Sequence, residues 1–397
     1  MIKRLIASGI VLVFLMAACR PSPTPLATSI QPTTTRAIVS PTEVQSFPTI
    51  QPSETALPPT QTPIATLVVP NATPTSSATP LASSNTEQSP PNPQSKAIIV
   101  DHTSIELFDQ IPEEYLAKAR ELKMMFADAS VGKNIDDSLN CLTAKSWASS
   151  FPACRNDYTD DQWNWKTYSQ ADLASGNVPQ RIQFSPDPEK YNRNNWVFEN
   201  LSGPWNQMTD IFINKLAPSY LDSTDVLTFQ FNYFHVSEQG GITDPGNGFF
   251  DDLPNRYDYK DLENFIAEHP DKTFFYWTTS LARLIGTPMS VDFNNQMREY
   301  VLKNNLVLFD VADIESHTDQ GVACFDARDN IEYCSRRADG STIKCENEPD
   351  DGLQIPAICQ DYTSEPDGGH LGSVSSGGLR LAKGLWVLMA RIAGWNP

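Results

Sequence analysis

The chain of 397 residues carries 29 basic and 48 acidic residues, a formal net charge of -19, with 31 prolines and seven cysteines. From residue 97 onward the balance is 24 basic to 45 acidic, which excludes nucleic acid and other polyanions as electrostatically steered partners. Neutral carbohydrates and esters remain compatible with that charge.

Residues 1–18 read as a signal peptide. Lys3 and Arg4 precede an apolar run, Leu5 to Ala18, that is too short to span a bilayer and ends in small residues. The ending "LMAAC" resembles a bacterial lipobox, with Met16 where Leu or Val is usual. That resemblance implies lipidation of Cys19 and attachment to a membrane surface, against the plainer reading of a secretion signal with a chance cysteine. Residues 19–96 follow as a Pro/Thr/Ser-rich stretch holding 16 of the prolines. Such a composition buries too little apolar surface to offset ordering entropy, so a disordered tether is expected, about 50 Å long as a flexible coil. An exported chain with six further cysteines, Cys141, Cys154, Cys324, Cys334, Cys345 and Cys359, is expected to form disulfides. Cys141 and Cys154 are spaced to close a small loop, while the other four allow three pairings. No paired CxxC spacing argues for zinc, and no metal or cofactor is expected.

Residues 97–397 read as one α/β domain. In chain order, "MMFAD" (124–128) predicts a buried strand and residues from about Val131 to Leu142 a helix. "DVLTFQFNYF" (225–234) predicts a second strand. "YKDLENFIAEHP" predicts a helix stopped by Pro270, leading into the strand "TFFYWTT" (273–279). "SVDFNNQMREYVLKNN" predicts a helix capped by Ser290, leading into the strand "LVLFDVA" (306–312). A last helix spans about Gly377 to Ala393, with Leu381, Leu385, Leu388, Met389 and Ile392 near one face. Strands alternating with helices imply βα units and a parallel sheet covered on both sides, whose ligand site lies beyond the carboxyl ends of the strands. Ser130 and Asn232 stand at two such ends.

A serine hydroxyl needs a base, and the base needs an orienting group. Of the five histidines, His102 lies near the tether, His269 in a helix exit, and His235 and His317 after strands. His370 has Asp367 three residues before it, with two glycines between that permit a tight turn. Ser130 as a helix cap, Asp367 to His370 as a surface turn, and His235 as a competing base remain alternatives.

With "ADASVGKN" and "DGGH" in this order, the chain resembles the SGNH/GDSL hydrolase family, in a diverged extracellular branch. Asp128-Ala129-Ser130 stands where that family has Gly-Asp-Ser, and no Gly-x-Asn-Asp block is recognisable around Asn232. The resemblance implies a three-layer α/β/α sandwich with a mainly parallel, flavodoxin-like sheet and long loop insertions. It implies Ser130 as nucleophile, His370 as general base and then acid, and Asp367 as the orienting carboxylate. The oxyanion hole would be the Ser130 N–H, Gly203 and Asn232. The expected function is a cell-surface serine hydrolase cleaving an ester, its acyl group carried by a glycan among the possible substrates. The alternative is an inactive SGNH-like binding or adhesion lipoprotein. Trp163, Trp165, Trp196 and Trp205 lie among amides and suit stacking on sugar rings, or packing beneath long loops.

Overall fold

The computed structural model describes residues 96–158, 165–236, 242, 248–282, 288–325, 332–336, 342–347, 355–365, 370–372 and 374–397. The signal peptide, Cys19, nearly all of the Pro-rich stretch, Trp163 and Asp367 lie outside the described residues.

Seven short strands build the main sheet: β1 (Ile98–Val100), β2 (Met124–Asp128), β3 (Trp196–Asn200), β4 (Val226–Phe229), β5 (Thr273–Phe274), β6 (Tyr276–Trp277) and β7 (Val307–Phe309). Every pairing among them is parallel. Hydrogen bonding gives the runs β3-β2-β4-β5 and β1-β7-β6. Phe275 alone separates β5 from β6, so one interrupted strand joins both runs. At the break the Thr228 hydroxyl of β4 donates to the Phe275 carbonyl at 2.6 Å. With the edge strand β1 set aside, the remaining order in chain terms is 2-1-3-4-5, the doubly wound, flavodoxin-like order.

The helices that pack on the sheet or flank the site are α1 (Glu113–Glu121), α2 (Ser130–Leu142), α3 (Trp205–Ile211), α4 (Tyr259–Glu268), α5 (Pro288–Asn304), α6 (Val311–Glu315) and α7 (Ser376–Ile392). Successive strand residues point to opposite faces, and here both faces are buried. Met124, Phe126, Val226, Trp277 and Phe309 join α1, α2 and α7 in one apolar cluster. Met125, Ala127, Leu227, Phe229, Tyr276 and Leu308 join α3, α4 and α5 in the other. Parallel strands buried on both sides read as near-continuous apolar runs, which is why "MMFAD" and "TFFYW" are recognisable in the sequence. The result is the expected α/β sandwich.

Several boundaries differ from expectation. β4 stops at Phe229, because Asn232 and the residues after it turn away from the sheet. β7 stops at Phe309, because the next residue, Asp310, caps α6 by accepting the Asp313 N–H at 3.2 Å. Ser290 is the third residue of α5 and not its cap; the described helix begins at Pro288, whose missing N–H costs nothing in a first turn. β1 and β3 are additional strands. Trp196 and Trp205 are buried in the core, with Trp196 tilted against Trp386 at a centroid distance of 4.3 Å, so these two are packing residues and do not face a sugar.

The disulfide Cys141–Cys154 forms as the spacing suggested, with Cα atoms 5.9 Å apart, and Cys324 pairs with Cys359 at 5.2 Å. In the antiparallel hairpin of 332–336 and 342–347, Cys334 and Cys345 are cross-strand partners in the backbone register. Disulfides are compatible with an exported chain. Among the described residues no helix is long and apolar enough to cross a membrane.

The C-terminal helix α7 is almost entirely buried, and glycines let it approach its neighbours. A Cβ on Gly377 would stand 2.5 Å from the Tyr362 carbonyl oxygen and 2.7 Å from the Tyr362 Cβ. Gly377→Ala is therefore expected to cost about 1–3 kcal/mol, seen as a lower urea midpoint with an unchanged slope. An unaltered midpoint would show that this contact does not clamp the helix.

Candidate active site

β2 and β4 are adjacent, yet the helices that follow them pack on opposite faces: α2 in one apolar cluster and α4 in the other. This is the switch point of the sheet, where open α/β folds leave a crevice beyond the carboxyl ends of the strands. Ser130 and Asn232 both lie at this edge, as the sequence suggested.

Ser130 is not the cap of α2 but its first helical residue. The cap position is Ala129, whose side chain offers no acceptor. Asp128 fills that role from the last position of β2: its Oδ2 accepts the Gly132 N–H at 2.7 Å. The arrangement requires a glycine, since a Cβ at position 132 would meet the Asp128 Cβ at 2.6 Å and the Phe198 ring at 2.8 Å. The Ser130 side chain is consequently exposed, and its hydroxyl makes no hydrogen bond among the described residues. Its backbone N–H belongs to the first helical turn, where N–H groups lack intrahelical partners and favour negative charge.

Asp128 itself is fully buried, and its Oδ1 has no hydrogen-bond partner among the described residues. Burial pushes its carboxyl up to about 7, against the opposing pull of the Ala129 and Gly132 N–H groups. Glu315 at the end of α6 is similarly enclosed. One oxygen accepts the Leu281 N–H at 2.5 Å and the other has no partner among the described residues. Burial first, and the nearby Asp128 second, raise the Glu315 carboxyl well above its ordinary range.

The loops after β3 and β4 are pinned to each other by His235. Its Nδ1 accepts the Asn232 N–H at 3.1 Å, so its Nε2–H donates to the Gly203 carbonyl at 3.0 Å. Both ring nitrogens are used, and burial pushes the imidazole down to about 4. His235 is therefore a neutral structural pin, not a competing base. The two oxyanion candidates are the residues it joins. Asn232 Oδ1 accepts the Phe234 N–H at 3.0 Å, an Asx turn, which leaves its amide NH₂ without a partner among the described residues. Gly203 has φ 140°, open to glycine and not to other residues.

His370 reaches this edge from the segment before α7. Its side chain is 12% exposed, and its ring centroid lies 5.8 Å from that of Tyr233, next to Asn232. Tyr233 connects the two sides: burial raises its phenol to about 12, helped by the charges of Glu365, Asp128 and Glu315. The Gly372 N–H donates to His370 Nδ1 at 3.0 Å, which places the neutral ring's proton on Nε2. Gly372 has φ 67°, and a Cβ there would stand 1.9 Å from the Ser364 Oγ; only glycine fits. The described carboxylate nearest Nδ1 is Glu365 at 3.5 Å. Burial lowers the His370 pKa, and Glu365 partly offsets that. Sequence reasoning missed Tyr233, Glu315 and Glu365, because nothing in their local sequence marks them as neighbours of Ser130 or His370.

The chain matches no family model, no curated protein and no solved structure; the site is read from its own geometry.

The raised Asp128 carboxyl gives a pH test. With its folded pKa above the unfolded one, folding takes up a proton, and stability is lost as pH rises from about 4 to about 7. Asp128→Asn keeps an acceptor for Gly132 without the charge. It should match the wild type near pH 4 and exceed it at pH 8, the gap widening by at most roughly 1.4 kcal/mol per pH unit between. Denaturant midpoints for both proteins across that range measure it; a gap independent of pH would disprove the buried-charge account.

Proposed function

We propose that the crevice is the active site of a serine hydrolase that cleaves a carboxylic ester, and that the protein works at the cell surface, attached through a lipid on Cys19. The observation that carries this reading is the exposed Ser130, its hydroxyl without a hydrogen bond among the described residues, on the first turn of a helix just beyond the switch-point strand, with an imidazole brought to the same edge from 240 residues further along the chain.

In the reaction, Ser130 Oγ attacks the ester carbonyl carbon and its proton passes to His370 Nε2. The oxyanion forms against the first-turn N–H groups of α2, with the Asn232 amide and the Gly203 N–H as further donors. The tetrahedral intermediate expels the alcohol, which takes the proton from His370, and leaves an acyl group on Ser130. Water, deprotonated by the same imidazole, then releases the acid and frees the serine. For Nε2 to accept a proton, the ring must carry its own on Nδ1. The Gly372 N–H must therefore release that nitrogen and a carboxylate must take the Nδ1–H. Glu365 stands at that position among the described residues, and Asp367 is the family-type candidate outside them. The acidic balance of the domain disfavours anionic substrates and suits neutral esters, acylated glycans included.

A second reading has one specific observation behind it. The Gly372 N–H on Nδ1 holds His370 in the tautomer that donates from Nε2, which suits binding a ligand oxygen better than activating a serine. On that reading the domain is a surface-tethered binding protein.

Two measurements decide between them. Ser130→Ala should reduce hydrolysis of a short-chain aryl ester by at least about 10³-fold with unchanged thermal stability, and should abolish labelling by a phosphonofluoridate. Full activity in the alanine variant, or no labelling of the wild type, removes the hydrolase assignment. Glu365→Gln takes away the charge that raises the His370 pKa, so the acid limb of kcat/KM should move to lower pH. An unmoved limb would show that Glu365 does not act on the base.

A further inference from the structure

At the other edge of the sheet, β1 and β7 are neighbours running the same way, so the residues that follow them emerge side by side. This brings His102 against Asp313 and His317, more than 200 residues away. The His102 amide N–H and its Nδ1–H both donate to Asp313 Oδ2, at 2.9 and 2.5 Å. His317 Nδ1–H donates to the Asp313 carbonyl oxygen at 2.8 Å, and lies 3.4 Å from Asp313 Oδ1. A carbonyl oxygen only accepts, and Oδ2 already accepts the His102 amide. Both rings thus carry their proton on Nδ1 and keep a lone pair on Nε2.

The two imidazoles stack with centroids 4.0 Å apart, within 9° of parallel, and each side chain is 22% exposed. One donor atom from each of the three residues lies within 4.8 Å of the other two. A cavity of about 140 Å³ opens beside Asp313 and His317, lined also by Asn294, Arg298 and Ser316. Arg298 is committed to Asp310 through two hydrogen bonds, at 2.6 and 2.8 Å, which ties its charge to that carboxylate. On the other side stands Gly321, where a Cβ would lie 3.9 Å from His102 Nε2.

We propose that His102 and His317, oriented by Asp313, bind a divalent transition-metal ion of the zinc class. The Nε2 atoms are the ligands, and water completes the shell. Imidazole nitrogen suits zinc, copper and nickel over calcium or magnesium. Asp313 supplies the compensating negative charge and fixes both tautomers, the outer-shell role that carboxylates and carbonyls play behind metal-bound histidines. Because the rings are nearly parallel, the imidazoles must turn about their Cβ–Cγ bonds for the lone pairs to converge, which their partial exposure permits. The bound ion would join β1 and its following turn to the α6 segment.

Zinc titrated calorimetrically into the metal-stripped protein should occupy a site that the His102→Ala/His317→Ala double variant lacks, and that Asp313→Asn weakens by about 10–100-fold. Zinc should also raise the Tm of the wild type and leave that of the double variant unchanged. Circular dichroism of the metal-free variants establishes that they fold; if the double variant does not, His317→Gln replaces it. Zinc uptake by a folded histidine variant as tight as that of the wild type overturns the proposal. So does a wild-type protein that takes up no zinc, which would make the cluster a hydrogen-bonded clasp only.

Discussion

A Cβ on Gly378, in the first turn of α7, would stand 2.3 Å from the Ser138 hydroxyl of α2. That close approach between the first long helix of the domain and the last one governs the candidate site. Ser130 begins α2, and His370 precedes α7, so the packing of the two helices bears on where the two groups stand. The packing is wide as well as close. Trp386 of α7 is fully buried and meets both Tyr191 and Trp196, while Leu381, Leu385 and Leu388 share a cluster with Val131, Ile135 and Leu139. Burial of side chains of this size, worth about 1.5–3 kcal/mol each, makes the relative position of α2 and α7 a property of the core. The crevice inherits it.

Two kinds of polar residue meet at the crevice and must be told apart. His235 and Asp128 have their hydrogen-bonding atoms turned inward, one pinning two loops and one holding a helix start. Among the described residues, Ser130 and the Asn232 amide are left with donors and acceptors unspent. At the end of β2 the residue still in register is buried and the second one beyond it is exposed. Asp128 is the last residue of β2 and Ser130 stands two further on, and that step separates a structural group from an accessible one.

Much of the fold was legible because burial on both faces writes long apolar blocks. "MMFAD" and "TFFYW" needed no partner in sequence to be recognised, and α7 announced itself by its periodicity. β1 and β3 were not legible. β1 is three residues long and follows a Pro-rich stretch, and β3 alternates within a run of amides, where Trp196 looks like a ligand-facing aromatic until its position in the core is known. The residues gathered at the candidate site were legible in part. Ser130, His370 and Asn232 could be picked out from strand ends and turns, since those signals are local. Tyr233, Glu315 and Glu365 could not, because their meaning lies in which loops come together. The stacking of His102 on His317 depends on two strands pairing at opposite ends of the domain's sequence, which no spacing rule for metal ligands encodes.

β1 opens the domain as its edge strand, and its parallel register with β7 has a mechanical corollary. The chain enters at the end of the sheet away from the crevice, and the first inter-strand bond joins the Ile98 N–H to the Leu306 carbonyl. A pull on the N-terminus acts along β1, so its bonds to β7 share the load in shear instead of opening one after another. The β1–β7 seam would be stressed lengthwise while the crevice, at the opposite pole, stays off the line of force.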